Sequence, residues 1–495
     1  MVLSKRRWRL NNKNQYCLQG ITPIAIVLMA IVITPTILQS TIATATTNLP
    51  HSNITRDDNN NEYNNSFTVV PSNQSSTLLD KTNVTLRGLF TDLGDPGRWI
   101  QLLQPALDEL NTRHPDLNIE LEYTDFLYNE TRSQILNRIS NGDPIDIVSV
   151  DQIWLGEFAE KGLLRNLTFD FEGWGRMSDL YEANLDGSVY NNTVYGLWLW
   201  TDIRGIWYWK DMLQEAGVDP ESLKTWDGYI SAAVKLDDFF EEDNNVIQGV
   251  HLLGASHDLD MWYPYLWMLG GEILELREGH PTRGVYWFPS YNSSEGVQAM
   301  ELLKRQVDAG IEPQDRPYLD IAFVTRNFSV MLAGSWMPGE FPRESWSTLE
   351  QEVGFIPMFP VPNQTIQTST MMGGYELAIP STSQNSDLAW ELITIMAEPK
   401  ILGPFLQQYG YLPTQRTLGE GPPSEPLRES IPYFEEMVSM IPYGRSRPSL
   451  SEYPEIAEHI HQAIQQVYNG SASPEAALDM AAAKSVGSLG WNLIQ

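Results

Sequence analysis

The residues with the most chemistry to offer lie between Tyr195 and Met212, YGLWLWTDIRGIWYWKDM. The stretch reads as a buried strand interrupted at Thr201-Asp202-Ile203-Arg204, with the rings of Trp198, Trp200, Trp207, Tyr208 and Trp209. A purely structural strand would favour Val, Ile and Leu. Flat rings beside a carboxylate suit a polar, ring-shaped ligand: an indole covers the ligand's C–H face, and an ionised carboxylate, acceptor-only, holds two adjacent hydroxyl protons. Side chains alternate along a strand, so if Asp202 faces a cleft, Trp200 faces it too, and Trp198 shares that side. Trp207 and Trp209 read as packing. Trp336 follows Gly334-Ser335, which places its ring on a turn rather than in a core.

The elements that must position these groups follow from periodicity. Val84–Phe90 reads as a strand, and the turn around Asp95 leads into a helix at Trp99–Arg113 with apolar residues at helical spacing. A strand at Leu117–Tyr123, a helix at Tyr128–Ile139, an apolar strand at Ile145–Val150 and a helix at Ile153–Glu160 continue the series. This β-α-β-α-β-α order predicts an open, mostly parallel sheet with helices on both faces. Ligands of such sheets sit at the carboxyl ends of the strands. That rule selects the loops 92–98, 151–154 and 201–204, hence Asp95, Asp151, Trp154 and Asp202. Capping of the following helix is the competing reading for Asp151.

Length and charge bound the function. A chain of 495 residues predicts two large domains or three ordinary ones. The net charge is −31, although the first 45 residues hold five basic groups and no acid, so the body is more acidic still. Such a body repels phosphate backbones and excludes nucleic acid as a partner. Cys17 is the single cysteine, so an internal disulfide is impossible and a cysteine-based zinc site is disfavoured; the seven histidines show no HExxH. No cofactor is predicted.

Residues 1–45 read as a targeting segment: Lys5, Arg6, Arg7 and Arg9, an apolar run from Ile21 to Leu38, then Ala43-Thr44-Ala45 as a cleavage site. The run is also about the length that spans a bilayer, so a cleaved signal peptide and an uncleaved transmembrane anchor are both open. Residues 46–83, rich in Asn, Ser and Thr, read as a disordered polar linker or stalk. N-x-[ST] sequons stand at Asn53, Asn64, Asn73, Asn83, Asn129, Asn166, Asn191, Asn292, Asn327, Asn363 and Asn469. Chance would give about four, so the expectation is an exported glycoprotein, extracellular or held at the cell surface.

The ordered series HPDLNIELEY, GDPIDIVSVDQIWLGEFAEKGLLRNL, YGLWLWTDIRGIWYWKDMLQEAGVDP, MLAGSWMPGEF, GGYELAIPSTSQNSDLAWELITIM, QYGYLPTQ and NGSASPEAAL resembles the maltose-binding-protein-like sugar-binding proteins of ABC importers, extracellular solute-binding protein family 1. The resemblance runs from about Val84 to the C-terminus. It implies an α/β, two-lobe periplasmic-binding-protein fold of the Venus-flytrap kind, with no catalytic activity. The lobes would be 84–201 with 362–411 and 202–361 with 412–495, joined by crossings near Asp202, Phe359 and Leu412. It implies a monomer that captures a mono- or oligosaccharide and hands it to a membrane permease driven by an ATPase. By the same resemblance Asp202 matches a hydroxyl-binding carboxylate, Trp336 a ring that stacks on sugar, Gly374 and Tyr375 an aromatic contact after paired glycines, and Trp262 and Tyr263 an aromatic region of the second lobe. Asp95, Asp151, Trp154, Trp200 and Arg447 complete the candidate set. Near Ile456 the chain is aliphatic where maltose-binding members carry a further ring, so maltodextrin specificity is not implied. Two rivals stand beside this reading: a non-sugar cargo such as a peptide or polyamine in the same fold, and a glycoside hydrolase, which needs two carboxylates flanking one bond.

Overall fold

Two sheets, each assembled from separated pieces of chain, carry the fold. The computed structural model describes residues 65–72, 81–93, 97–240, 248–253, 258–280, 284–311, 313–314, 319–358 and 368–489, all within the compact unit His51–Gln495. The segment 1–45, most of 46–83 and Asp95 lie outside the described residues. Among the described residues no helix is long and apolar enough to cross a membrane.

The first sheet has the order Asn65–Val69, Leu117–Phe126, Thr82–Thr91, Ile147–Asp151, Tyr375–Ala378, Gly196–Trp198. Its centre is parallel, with Thr82–Thr91 between Leu117–Phe126 and Ile147–Asp151. The helix Arg98–Arg113 lies between the first two of these in sequence and buries Trp99, Leu102, Leu103, Ala106, Leu107 and Leu110, the stripe that its spacing predicts. Ile147–Asp151 is buried along its whole length, as a central parallel strand should be. Antiparallel additions complete the sheet: Tyr375–Ala378, which returns from far along the chain, and the edge strand Asn65–Val69. That edge strand lies within the stretch 46–83 read as a polar linker, most of which is outside the described residues. Phe67 and Val69 alternate inward and bury against the core, and Thr82 and Asn83 at the end of the polar stretch already belong to the strand Thr82–Thr91.

The second sheet runs Pro313–Gln314, Gln248–Leu253, Phe328–Gly334, Arg204–Trp209, Val353–Pro357. Its strand Arg204–Trp209 is buried throughout. Trp207 and Trp209 are core residues whose indole N–H groups donate to the carbonyls of Gly334 and Phe323 at 3.2 and 3.0 Å. These bonds satisfy the polar N–H that each ring takes into the core.

Between the sheets, short pairings lash the connecting segments together. Trp200–Thr201 pairs with Leu412–Pro413, Asp202 bridges Gly373, and Thr370–Met371 pairs with Gly444–Arg445. The chain therefore passes from the first sheet to the second between Trp198 and Arg204. Carboxyl ends of first-sheet strands meet the second lobe at this junction.

Candidate functional site

At the junction lies a cavity of 530 Å³. From the first lobe it is walled by Asp92 after Thr82–Thr91, Asp151 at the end of Ile147–Asp151, and Tyr128 and Arg98 at the starts of their helices. The connecting segments supply Trp200, Thr201, Asp202, Gly373, Gly374, Tyr375 and Arg447, and the second lobe supplies Arg204, Asp320, Trp336 and Glu340. Tyr409 and Tyr411 close one side.

Asp202 is fixed before any ligand arrives. Its backbone N–H donates to the Gly373 carbonyl at 3.1 Å, and its carboxylate accepts from the Arg204 guanidinium in an ion pair. Asp202 is thus ion-paired and on the cavity wall at once. Arg204 also lies over the Trp336 ring, 4.8 Å from its centroid, and the Trp336 indole donates to Asp320 Oδ2 at 3.0 Å. Asp202, Arg204, Trp336 and Asp320 thus form one chain of charge and ring contacts across the wall. Gly374 adopts φ +134°, a region open to glycine, and a Cβ there would stand 2.9 Å from the Trp200 carbonyl oxygen. This close approach lets Tyr375 follow directly into the cavity.

Asp151 serves as helix cap and wall group at once. Its Oδ1 accepts from the Ile153 N–H at 3.2 Å and from Arg447 at 3.3 Å, and its Oδ2 accepts from the Tyr128 hydroxyl at 2.9 Å. Gln152 next to it is fully buried and donates to the Arg447 carbonyl at 2.6 Å, so the Arg447 backbone is held as firmly as its head. Trp200 stacks on Tyr411 with centroids 5.5 Å apart and planes 11° from parallel. Arg98 donates to the Tyr411 hydroxyl at 2.8 Å and covers the Tyr409 ring at 5.0 Å.

The electrostatics keep the phenols as donors. Burial, reinforced by Asp151, pushes the Tyr128 and Tyr375 hydroxyls well above the ordinary tyrosine range, and burial raises Tyr411 against the pull of Arg98. Glu340 is raised by burial and by neighbouring Asp320, with Arg98 pulling the other way. The cavity therefore offers neutral hydroxyl donors, guanidinium donors and carboxylate acceptors beside flat rings. Among the described residues no group of three or more His, Cys, Asp or Glu side chains is placed to hold a metal ion.

Of the residues singled out by sequence, Asp151, Trp200, Asp202, Trp336, Gly374, Tyr375 and Arg447 come together on the cavity wall. Trp154 does not: it is buried in the first-lobe core, its ring 5.3 Å from that of Tyr128, which takes the wall position. Trp262 and Tyr263 are completely buried in the second lobe, and the Tyr263 hydroxyl meets that of Tyr453 at 2.9 Å. Trp198, on the far side of the bend at Leu199, is buried as well. Arg98, Tyr128, Asp320, Glu340, Tyr409 and Tyr411 went unread. Tyr409 and Tyr411 sit within the QYGYLPTQ segment already noted, whereas Asp320 had no local signal.

Residues 96–401 match the family model of the bacterial extracellular solute-binding proteins. The chain belongs to that family. This solute-binding protein is 24% identical over 387 residues to a binding protein of Brucella abortus, covering 74% of this chain and 84% of the relative. Its fold matches the solute-binding protein of Thermotoga lettingae bound with α-D-tagatose, at TM-score 0.66 and 20% identity over 83% of this chain and all of the other. It also matches maltose-bound MalE3 of T. maritima at TM-score 0.65 and 20% identity, over 81% of this chain and 98% of that one. A third match is the ribitol complex of the solute-binding protein from Agrobacterium radiobacter K84, at TM-score 0.61 and 22% identity, with 82% and 98% covered. The two-lobe, maltose-binding-protein-like architecture is thereby shown, and family and fold are those of binding proteins rather than enzymes.

Proposed function

We propose that this solute-binding protein is exported, captures a mono- or oligosaccharide between its lobes, and delivers it to the permease of an ATP-driven importer. The observation that carries this reading is the cavity wall itself. The rings of Trp200, Trp336 and Tyr375 stand beside carboxylates already oriented by arginines, the complement of a sugar's C–H faces and hydroxyl edge. Sugars and polyols bound by structural neighbours support it. The basic start and apolar run of residues 1–38 support export, by signal peptide or membrane anchor, and the sequons fit a glycoprotein.

A thermal-shift screen over a broad saccharide panel, followed by calorimetry, tests capture; no stabilisation by any sugar overturns it. Trp336→Ala is expected to weaken the best ligand about tenfold or more, some 1.4 kcal/mol, with the fold intact by circular dichroism. Unchanged affinity removes Trp336 from the site.

One observation favours a second reading. Five carboxylates (Asp92, Asp151, Asp202, Asp320, Glu340) face three guanidiniums (Arg98, Arg204, Arg447) among the described lining residues, a balance that also suits a polyamine. Competition by spermidine at fixed ionic strength separates the two cargoes.

A further inference from the structure

Seven of the sequons fall on described residues, and the fold treats them differently. At Asn166 the side chain is exposed and its Oδ1 accepts the Thr168 N–H at 2.9 Å. At Asn469, exposed just beyond the helix Tyr453–Tyr468, Oδ1 accepts the Ser471 N–H at 3.0 Å. Both are Asx turns that span the sequon from asparagine to hydroxyl residue and engage the amide oxygen rather than Nδ2, on an exposed residue. Asn191 is exposed at the tip of the hairpin Val189–Tyr190 and Thr193–Val194, where it and Asn192 hold φ of 48° and 60°. Asn has the tolerance for this left-handed backbone that most residues lack.

The remaining four lack one requirement for a glycan or another. Asn83 is exposed, but its sequon runs straight along the Thr82–Thr91 ladder, paired with Leu117–Phe126, and so is extended rather than bent. Asn129 has its hydroxyl partner Thr131 completely buried, bound to the Phe126 and Leu127 carbonyls. Asn292 commits Nδ2 to Asp479 at 2.8 Å, and Asn327 depends on Ser329, fully buried in the strand Phe328–Gly334.

We propose that the folded protein carries N-linked oligosaccharides at Asn166, Asn191 and Asn469 and none at Asn83, Asn129, Asn292 or Asn327, an inference that rests on the reading of the chain as an exported glycoprotein. In the transfer, Nδ2 attacks the anomeric carbon of an oligosaccharide carried on a polyprenyl diphosphate. The N–C bond forms, the C–O bond breaks with its electron pair leaving on the diphosphate, and Nδ2 gives up one proton. A transferase acting on the folded chain needs a bent sequon with its hydroxyl within reach, and a finished glycan needs an exit from Nδ2 into solvent. Asn166, Asn191 and Asn469, the open set, meet the second requirement, and the other four lack one or the other. The partition also protects the ligand site. None of the three open sites lines that cavity.

Glycopeptide mapping of the full-length protein purified from the cells that encode it tests the partition. Expected are saccharide-shifted peptides at Asn166, Asn191 and Asn469, loss of one glycan mass in each of N166Q, N191Q and N469Q, and bare peptides at the other four. Bare asparagines at all three open sites overturn the inference, as does a glycan on Asn83, Asn129, Asn292 or Asn327. If glycans occupy only Asn53, Asn64 or Asn73, the partition falls and the glycoprotein reading stands. If every sequon is bare, both fall, and protease accessibility on whole cells then decides export independently.

Discussion

Asp202 is held from two directions, by the Gly373 backbone and by the Arg204 guanidinium, so its carboxylate presents a fixed edge to the cavity. Asp202→Asn keeps the shape and removes the charge that orients Arg204 over Trp336. A hydrogen bond to a charged group contributes about 1.5–3 kcal/mol, so calorimetry should show a sugar affinity lower by tenfold or more. A second carboxyl has a different consequence. Glu376, next to Tyr375, is completely buried, and Gly196 opposite leaves room for it. Burial lifts its pKa to about 8, opposed by Ser188 and Trp198 beside it. A carboxyl whose folded-state pKa lies above its unfolded value binds its proton more tightly when folded. Its stabilising contribution is therefore full below the ordinary carboxylate range and lost as pH rises through about 8. Wild-type Tm should fall between pH 5 and pH 9 more steeply than that of Glu376→Gln; parallel profiles overturn this.

At the scale of elements, the turn Gly373-Gly374 decides where the strand Tyr375–Ala378 starts and hence where Tyr375 stands. Gly374→Ala forces a Cβ against the Trp200 carbonyl at a φ that L-residues avoid. It should lower stability by about 1–3 kcal/mol in denaturant unfolding, and it should weaken ligand binding beyond that because the wall itself shifts. The same scale shows what could be read from sequence. The βαβ units of the first lobe were legible because the stripe on Arg98–Arg113 and the apolar run at Ile147–Asp151 are local patterns, and the strand-end rule then located Asp151 and Asp202. The edge strand Asn65–Val69 was not, because its apolar residues are few and its partner Leu117–Phe126 is distant in sequence. Trp262 and Tyr263 show another limit: an aromatic-rich helix has the same composition whether its rings line a cleft or, as here, fill a core. Asp320 and Glu340 reach the cavity only through the packing of the second lobe, which no local period encodes.

For the whole molecule, the cavity lies where both lobes and the connecting segments contribute wall, so a ligand there touches both halves at once. The Arg447–Asp151 pair, with Gln152 gripping the Arg447 backbone, ties a late segment of chain to the end of a first-sheet strand. The rings and the Asp202–Arg204–Trp336 chain face it from the connecting segment and the second lobe. A ligand that bonds to both sides binds the approximated lobes better than the separated ones, and only that difference in affinity can shift the population. At a hundredfold excess over Kd it stabilises the folded protein by about 2.7 kcal/mol, which a thermal scan reads as a raised Tm. Small-angle scattering reads the geometry directly: saturating sugar should lower the radius of gyration of the wild type. Trp336→Ala, at the same sugar concentration, should show a smaller decrease that recovers as the concentration is raised. An unchanged radius under saturation, with binding demonstrated by calorimetry, would mean that the lobes hold a fixed separation and that capture proceeds without closure.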